Sequence, residues 1–195
     1  GTESRRHREP PLGAHLRDPA ARGATRADRC LQRSSLVRAR RFVIATGSRP
    51  FVPEVQGLDN VPYLTNETIF ALRECPRHLI VIGGGPIGLE MAQAHRRLGS
   101  AVTVIEGARV LGREDPELAA VVMKALRAEG IKMIEGQQVV RLAGTAGAVE
   151  VTLGDGQQAT GTHLLIAVGR KVGLDGLNLA AAGVADLLAQ GLGAD

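Results

Sequence analysis

The sequence predicts an α/β fold: a parallel sheet wound by helices, with a small antiparallel meander added. Three observations predict it. Short apolar runs, Leu79-Ile80-Val81-Ile82, Ala101-Val102-Thr103-Val104-Ile105 and Ile131 to Ile134, are too short for helix cores and read as strands buried on both faces. Between them lie two stretches with helical spacing of apolar residues, so strand and helix alternate along the chain, as they do around a parallel sheet. Finally, the aromatic content of three Phe, one Tyr and no Trp in 195 residues leaves Val, Leu, Ile and Ala to build the core.

The first unit, His78 to Glu106, justifies the assignment best. Strand Leu79 to Ile82 runs directly into Gly83, Gly85 and Gly88, which satisfy G-x-G-x-x-G. The first glycine allows a tight turn out of the strand, the second removes a side chain where a pyrophosphate must reach the backbone, and the third lets the helix pack closely on the strand. Pro86 suits the first helical turn, where its missing N–H costs little. Ile87, Met91, Ala94, His95 and Leu98 recur at helical spacing, Gly99 ends the helix, and the second strand closes on an acid, Glu106. A carboxylate at that distance after the glycines is what binding of a ribose hydroxyl requires, so the unit reads as a Rossmann-like βαβ nucleotide-binding domain.

The chain before this unit divides in two. Residues 1–35 are rich in Arg, Pro, Gly and Ala without periodicity and read as disordered or poorly packed. Residues 1–41 carry eleven Arg against four acids, a net +7, which leaves −3 for the remainder of a chain whose total is +4. With neither an aromatic for base stacking nor a basic helix, this charge does not predict a nucleic-acid partner. From Leu36 the character changes. Arg41 to Ala45 reads as a short buried strand, Thr46-Gly47-Ser48-Arg49-Pro50 as a turn into an extended segment, and Thr65 to Leu72 as a short helix with Thr65 as N-cap.

After Glu106 a loop leads to a helix over Pro116 to Glu129, with Leu118, Val121, Val122, Ala125 and Leu126 as its apolar face and Gly130 just beyond its end. Ile131 to Ile134 is the third parallel strand. Gln137 to Leu142, Val149 to Leu153 and Gln158 to Thr162 read as the antiparallel meander, with Gly154-Asp155-Gly156 as a hairpin turn. His163 to Val168 is a further buried strand. His163 and His78 read as hydrogen-bonded structural residues, since no nucleophile or carboxylate partner stands near them in sequence.

GGGPIGLE followed by a second strand ending in Glu resembles the pyridine-nucleotide domain of the flavoprotein disulfide reductases, the group of dihydrolipoamide dehydrogenase, glutathione reductase and mercuric reductase. Ala45-Thr46-Gly47-Ser48 resembles the connection by which that family leaves its flavin domain. Gly169-Arg170-Lys171 resembles the return to it, although Val172 and Gly173 stand where the family has Pro and Asn. The resemblance covers residues 36–184.

It implies four segments: the arginine-rich stretch 1–35, a partial FAD-domain segment and connection 36–75, an NAD(P)-binding domain 76–161, and a return segment 162–195. It implies that Gly83, Gly84, Gly85, Pro86, Ile87, Gly88, Leu89, Glu90, Glu106, Val139 and Gly169 bind NAD, and that Thr46, Gly47 and Ser48 lie near FAD. Glu90 has two readings, an acid near the nicotinamide end of the site or a solvated helix-face acid. Arg109, three residues past Glu106, is the feature that would favour NADP; Glu106 favours NAD.

The function implied is hydride transfer from NAD(P)H to FAD and on to a disulfide or related acceptor, with this chain supplying the NAD-binding domain. The alternative is a non-catalytic dinucleotide-binding module. A short-chain dehydrogenase would need Tyr-x-x-x-Lys, and Tyr63, the single tyrosine, is followed by Asn66 and Glu67. By the family's pattern the first flavin glycine motif and the redox cysteine pair would precede residue 1, and the dimerisation domain would follow residue 195. The isolated chain is therefore expected to bind no FAD tightly and to reduce no disulfide or metal with NADH. Cys30 and Cys75 follow no metal or C-x-x-C spacing and read as free thiols. No metal cluster, nucleophile elbow, P-loop lysine, membrane span or secretory signal is seen, which predicts a cytoplasmic protein whose full-length form is a homodimer by resemblance.

Overall fold

The computed structural model describes residues 39–184. Expectations for residues 1–35, Cys30 included, and for Ala185 onward lie outside them. Two compact units divide the described residues, one spanning Arg49–Lys171 and the other 39–48 with 172–184. In chain order the elements are β1 (Ser48–Pro50), β2 (His78–Ile82), α1 (Pro86–Arg97), β3 (Ala101–Glu106), α2 (Pro116–Ala128), β4 (Lys132–Glu135), β5 (Val139–Thr145), β6 (Ala148–Leu153), β7 (Gln158–Gly161), β8 (His163–Ile166) and β9 (Arg170–Val172). Short 3-10 turns occupy Leu58–Asn60, Ile69–Ala71 and Leu179–Ala182.

The larger unit is built on a four-stranded parallel sheet in the order β4-β3-β2-β8. Numbered within the sheet, that is 3-2-1-4, the order in which a doubly wound sheet reverses direction between its first and fourth strands. The crossover from the third strand to the fourth is not a helix. It is the antiparallel meander β5-β6-β7, with its register shift between Val139 and Arg141.

Alternation along the strands decides what each face covers. Leu79 and Val81 of β2, with Val102 and Val104 of β3, join Leu89, Ala92, Ala119 and Leu126 on the helical side. Ile80 and Ile82, with Ile105, Leu164 and Ile166, meet Leu142, Val149, Val151 and Leu153 of the meander on the other. Each fully buried aliphatic side chain of this kind contributes ~1.5–3 kcal/mol. The result is helices, sheet and meander in three layers.

Helix ends follow the sequence. Pro86 and Pro116 both fall in the first turn, and Gly99 and Gly130 take positive φ just past the ends, at 108° and 86°. Asp115 caps α2, accepting from the Glu117 and Leu118 N–H groups at 2.9 and 3.2 Å. The two helices are clamped at their far ends, where Glu129 accepts from Arg97 at 2.7 and 3.0 Å and from Gln93 at 2.7 Å.

Four expectations are corrected. Arg41 to Ala45 forms no strand: Phe42, Val43 and Ile44 are exposed, because a buried strand needs a ladder partner and this segment has none among the described residues. The run from His163 is a strand only to Ile166, not to Val168, and it pairs in parallel with β2 as the fourth strand of the central sheet. Thr65 to Leu72 is not an α-helix but a turn ending in the 3-10 segment Ile69–Ala71, though Thr65 caps it as expected: its Oγ1 accepts from Glu67 N–H at 3.3 Å and its N–H donates to Thr68 Oγ1 at 2.9 Å. On α2 the inward face is Ala119, Met123 and Leu126, while Leu118, Val121 and Val122 are exposed. Two apolar stripes run along that helix, and periodicity cannot say which one meets the sheet. The segment before β2 also contributes to the core, through Leu58, Val61 and Ile69, and Leu64 bridges in parallel to Leu165.

Burial, reinforced by nearby Lys132, lowers the pKa of the His78 imidazole, whose Nε2 lies 2.9 Å from Thr103 Oγ1. A base with a lower pKa in the fold takes up its proton first in the unfolded chain. Its contribution is therefore intact above the ordinary value of 6.5 and is lost as pH falls below it. Urea unfolding at about pH 7.5 and about pH 5.5 should show the wild-type midpoint falling on acidification, and falling less in His78→Gln. Equal falls in both proteins would contradict this assignment.

Candidate functional site

The glycine turn lies at the C-terminal edge of the parallel sheet, where β2 stands between β3 and β8. Gly83 N–H donates to Ile105 O at 2.9 Å and Ala167 N–H to Ile82 O at 2.8 Å, so the chain leaves β2 wedged between its two neighbours. Gly83 turns there with φ 112°, and a Cβ on it would collide with the Ala167 carbonyl. Gly88, in the first turn of α1, would drive a Cβ into the Gly83 carbonyl oxygen. These two glycines are demanded by packing.

Gly85 is different. It is the N-cap of α1, its φ of −78° is open to any residue, and a Cβ built on it meets nothing within 4 Å. No side chain caps the helix there, in contrast to Asp115 on α2. The first turn of a helix carries N–H groups without intrahelical acceptors and the positive end of the helix dipole. The space above Gly85 is thus a cradle that a side chain would fill, faced by donors, and its chemistry suits a phosphate group.

Glu106, at the end of β3, sets the turn in place. Its Oε2 accepts from Gly84 N–H at 2.7 Å and its Oε1 from Ala108 N–H at 2.9 Å. Gly84 has no room for a side chain either: a Cβ would lie 2.8 Å from Val110 Cγ2 and 3.0 Å from Glu106 Cβ. A carboxylate offers about four lone-pair sites, so two remain for further donors.

The other residues expected at the site are placed as follows. Pro86 is exposed and Ile87 half-buried, both at the helix start, whereas the Leu89 side chain is buried in the helical-side core and Glu90 is exposed on α1. Val139 opens β5 two residues beyond Gln137, whose N–H donates to Glu106 O at 3.2 Å. Gly169 follows β8 two residues beyond Ala167, is exposed, and takes φ 148° with open space beside it. Thr46, Gly47 and Ser48 belong to the smaller unit and are exposed, with Gly47 at φ 73° and its carbonyl accepting from Gly173 N–H at 2.9 Å.

Sequence reasoning placed a loop after Glu106 but missed its part in building the site. Leu111, buried and at φ 51°, donates its N–H to Gly84 O at 3.0 Å, and Val110 donates to Glu135 Oε1 at 2.9 Å. The available signal was that β3 and β4 both close on Ile-Glu. Two open concavities, of about 390 and 540 Å³, lie at the opposite edge, by the strand starts His78 and His163. Cys75 lines the first, 3.2 Å from Ser100 Oγ. Neither holds the glycine turn or Glu106.

Comparison with known proteins gives the family. The family described as pyridine nucleotide-disulphide oxidoreductase matches residues 19–187. The chain is 43% identical over 154 residues to the mercuric reductase of Streptomyces lividans, covering 77% of this chain and 32% of that protein. It is 36% identical over 154 residues to dihydrolipoyl dehydrogenase 3 of Pseudomonas putida, covering 76% and 33%. It therefore spans about a third of the length of these curated relatives. Among solved structures, the HOCl-induced flavoprotein disulfide reductase RclA of Escherichia coli superposes with a TM-score of 0.65 at 31% identity, over 77% of this chain and 35% of that one. LpdA of Mycobacterium tuberculosis gives 0.66 at 30%, over 77% and 33%.

The three glycines make a prediction that needs no ligand. Gly83→Ala and Gly88→Ala should each destabilise the fold by ~1–3 kcal/mol or more, as overpacking against backbone does, while Gly85→Ala stays within about 0.5 kcal/mol of wild type. Urea unfolding curves of the three variants check this.

Proposed function

Because the chain belongs to the pyridine nucleotide-disulphide oxidoreductases, we propose that it forms the nucleotide-binding part of a flavoprotein in which NADH reduces FAD, and FAD a disulfide or related acceptor. One observation carries the reading: the open cradle over Gly85, at an uncapped helix N-terminus on the sheet's reversal point, with the Glu106 carboxylate alongside. When bound, reduced nicotinamide supplies the hydride and the flavin relays it.

The residues of this chain bind and orient. The pyrophosphate is received by the backbone at Gly85, Ile87 and Gly88, and Glu106 accepts from the ribose hydroxyls. Pro86 and Leu89 act through the helix start, the one fixing its φ and the other anchoring it in the core. Val139 supports the adenosine side and Gly169 leaves the path clear beside β8. Glu90, exposed on α1, is assigned to the nicotinamide end by its place in the family's motif, with a solvated helix-face acid as the alternative. Thr46, Gly47 and Ser48 serve the flavin side, a reading supported by their matching the family's connection and by the open backbone at Gly47.

NAD is preferred over NADP. A carboxylate at the ribose repels a 2′-phosphate, and a like-charge contact costs several kcal/mol. Arg109 can offset that only once Glu106 is turned away.

Calorimetric titration with NADH and NADPH tests both parts. NADH should bind more tightly than NADPH, and Glu106→Ala should move the preference toward NADPH. Gly85→Ala should weaken NADH about tenfold or more while remaining folded, since its Cβ takes up cradle space rather than core space. Tighter binding of NADPH by the wild type would refute the preference, and undiminished NADH binding by folded Gly85→Ala would refute the cradle.

A further inference from the structure

The parallel register of β3 and β4 sets Glu106 directly beside Glu135. Like charges opposed on neighbouring strands are unfavourable, yet each of these carboxylates is given its own donors. Glu106 takes Gly84 and Ala108 N–H. Glu135 takes Val110 N–H at 2.9 Å on Oε1 and the Arg127 guanidinium at 2.9 Å on Oε2. Both acids therefore hold the same loop, one at Ala108 and one at Val110.

Arg109 stands between those two tied residues with its side chain exposed. The strand ends reinforce the grip. Gly136 N–H donates to Ala108 O at 2.8 Å, and Leu111, in its left-handed conformation, donates back to Gly84. A short loop tied at residues 108, 110 and 111 has little freedom to re-aim the side chain at 109. Of these ties, the one to Val110 is made by a side chain whose other described bond is to Arg127.

We propose that Glu135 is a positioning residue for cofactor choice: by holding Val110 N–H it fixes the loop that keeps Glu106 on the glycine turn and withholds Arg109 from the ribose 2′ position. The proposal rests on the nucleotide reading above. Arg127 serves it indirectly, by pairing with Oε2 and leaving Oε1 for the loop. A glutamine at 135 would keep an acceptor for Val110 and lose only the ion pair, whereas alanine would lose both.

The test measures two things on the full chain, the ratio of NADPH to NADH dissociation constants and the hydrogen exchange of the Val110 and Leu111 amides without nucleotide. In Glu135→Ala the ratio should shift toward NADPH by about threefold or more and both amides should exchange faster, as loss of one hydrogen bond to a charged acceptor implies. In Glu135→Gln and in Arg127→Gln the ratio should stay within about twofold of wild type, because the bond to Val110 survives. Unchanged exchange in Glu135→Ala overturns the tie itself. Faster exchange with an unchanged ratio overturns its role in specificity, as does an equal shift in all three variants. If the wild type binds neither nucleotide, that first titration refutes the nucleotide reading, and the proposal falls with it for that visible reason.

Discussion

The Glu106 carboxylate, shared between the N–H groups of Gly84 and Ala108, is the interaction on which the rest of the site depends. It joins the turn after β2 to the loop after β3, two segments that the sheet brings side by side but does not itself connect. With Gly84 held, Gly85 is presented outward and α1 begins in the open. With Ala108 held, the chain must double back so that Leu111 can reach Gly84, and it does so through a left-handed residue. A non-glycine residue in that region costs ~1–2 kcal/mol. The burial of Leu111 and Val110 in the helical-side core offsets it.

The glycines then divide their work by location. Gly83 and Gly88 are consumed by contacts within the protein, against Ala167 and against each other, and Gly84 by Val110 and Glu106. Of the four glycines of the turn, Gly85 alone leaves its missing side chain as free space. The meander makes this arrangement possible from behind. By replacing a crossover helix it covers the second face of the sheet with Val149, Val151 and Leu153 and delivers β8 beside β2, where Ala167 closes on Gly83.

Much of this was legible in the sequence because it rests on local rules. The strand, glycine turn, helix and acid of residues 78–106 are specified by neighbours in the chain, as are the proline starts and glycine stops of both helices. What was not legible depended on which partner a segment finds. Phe42 to Ala45 has the composition of a buried strand but exposes its apolar side chains. His163 to Ile166 has the same composition and completes the parallel sheet. Leu118, Val121 and Val122 share a helix with Ala119, Met123 and Leu126, and only packing into the helical-side core decides between the stripes. The ties made by Glu135 arise from strand register, which no single segment encodes.

Family membership accounts for the residues 19–187, and within the larger unit the physical account makes one central claim: that a dinucleotide pyrophosphate sits over Gly85 at the start of α1. Amide chemical-shift mapping by NMR during titration with NADH tests it most directly. The account predicts that the largest shifts fall on Gly85, Ile87 and Gly88, with Ala108 and Val110 following through Glu106. Shifts concentrated instead around Cys75, Thr162 and His163, at the opposite edge of the sheet, would contradict it.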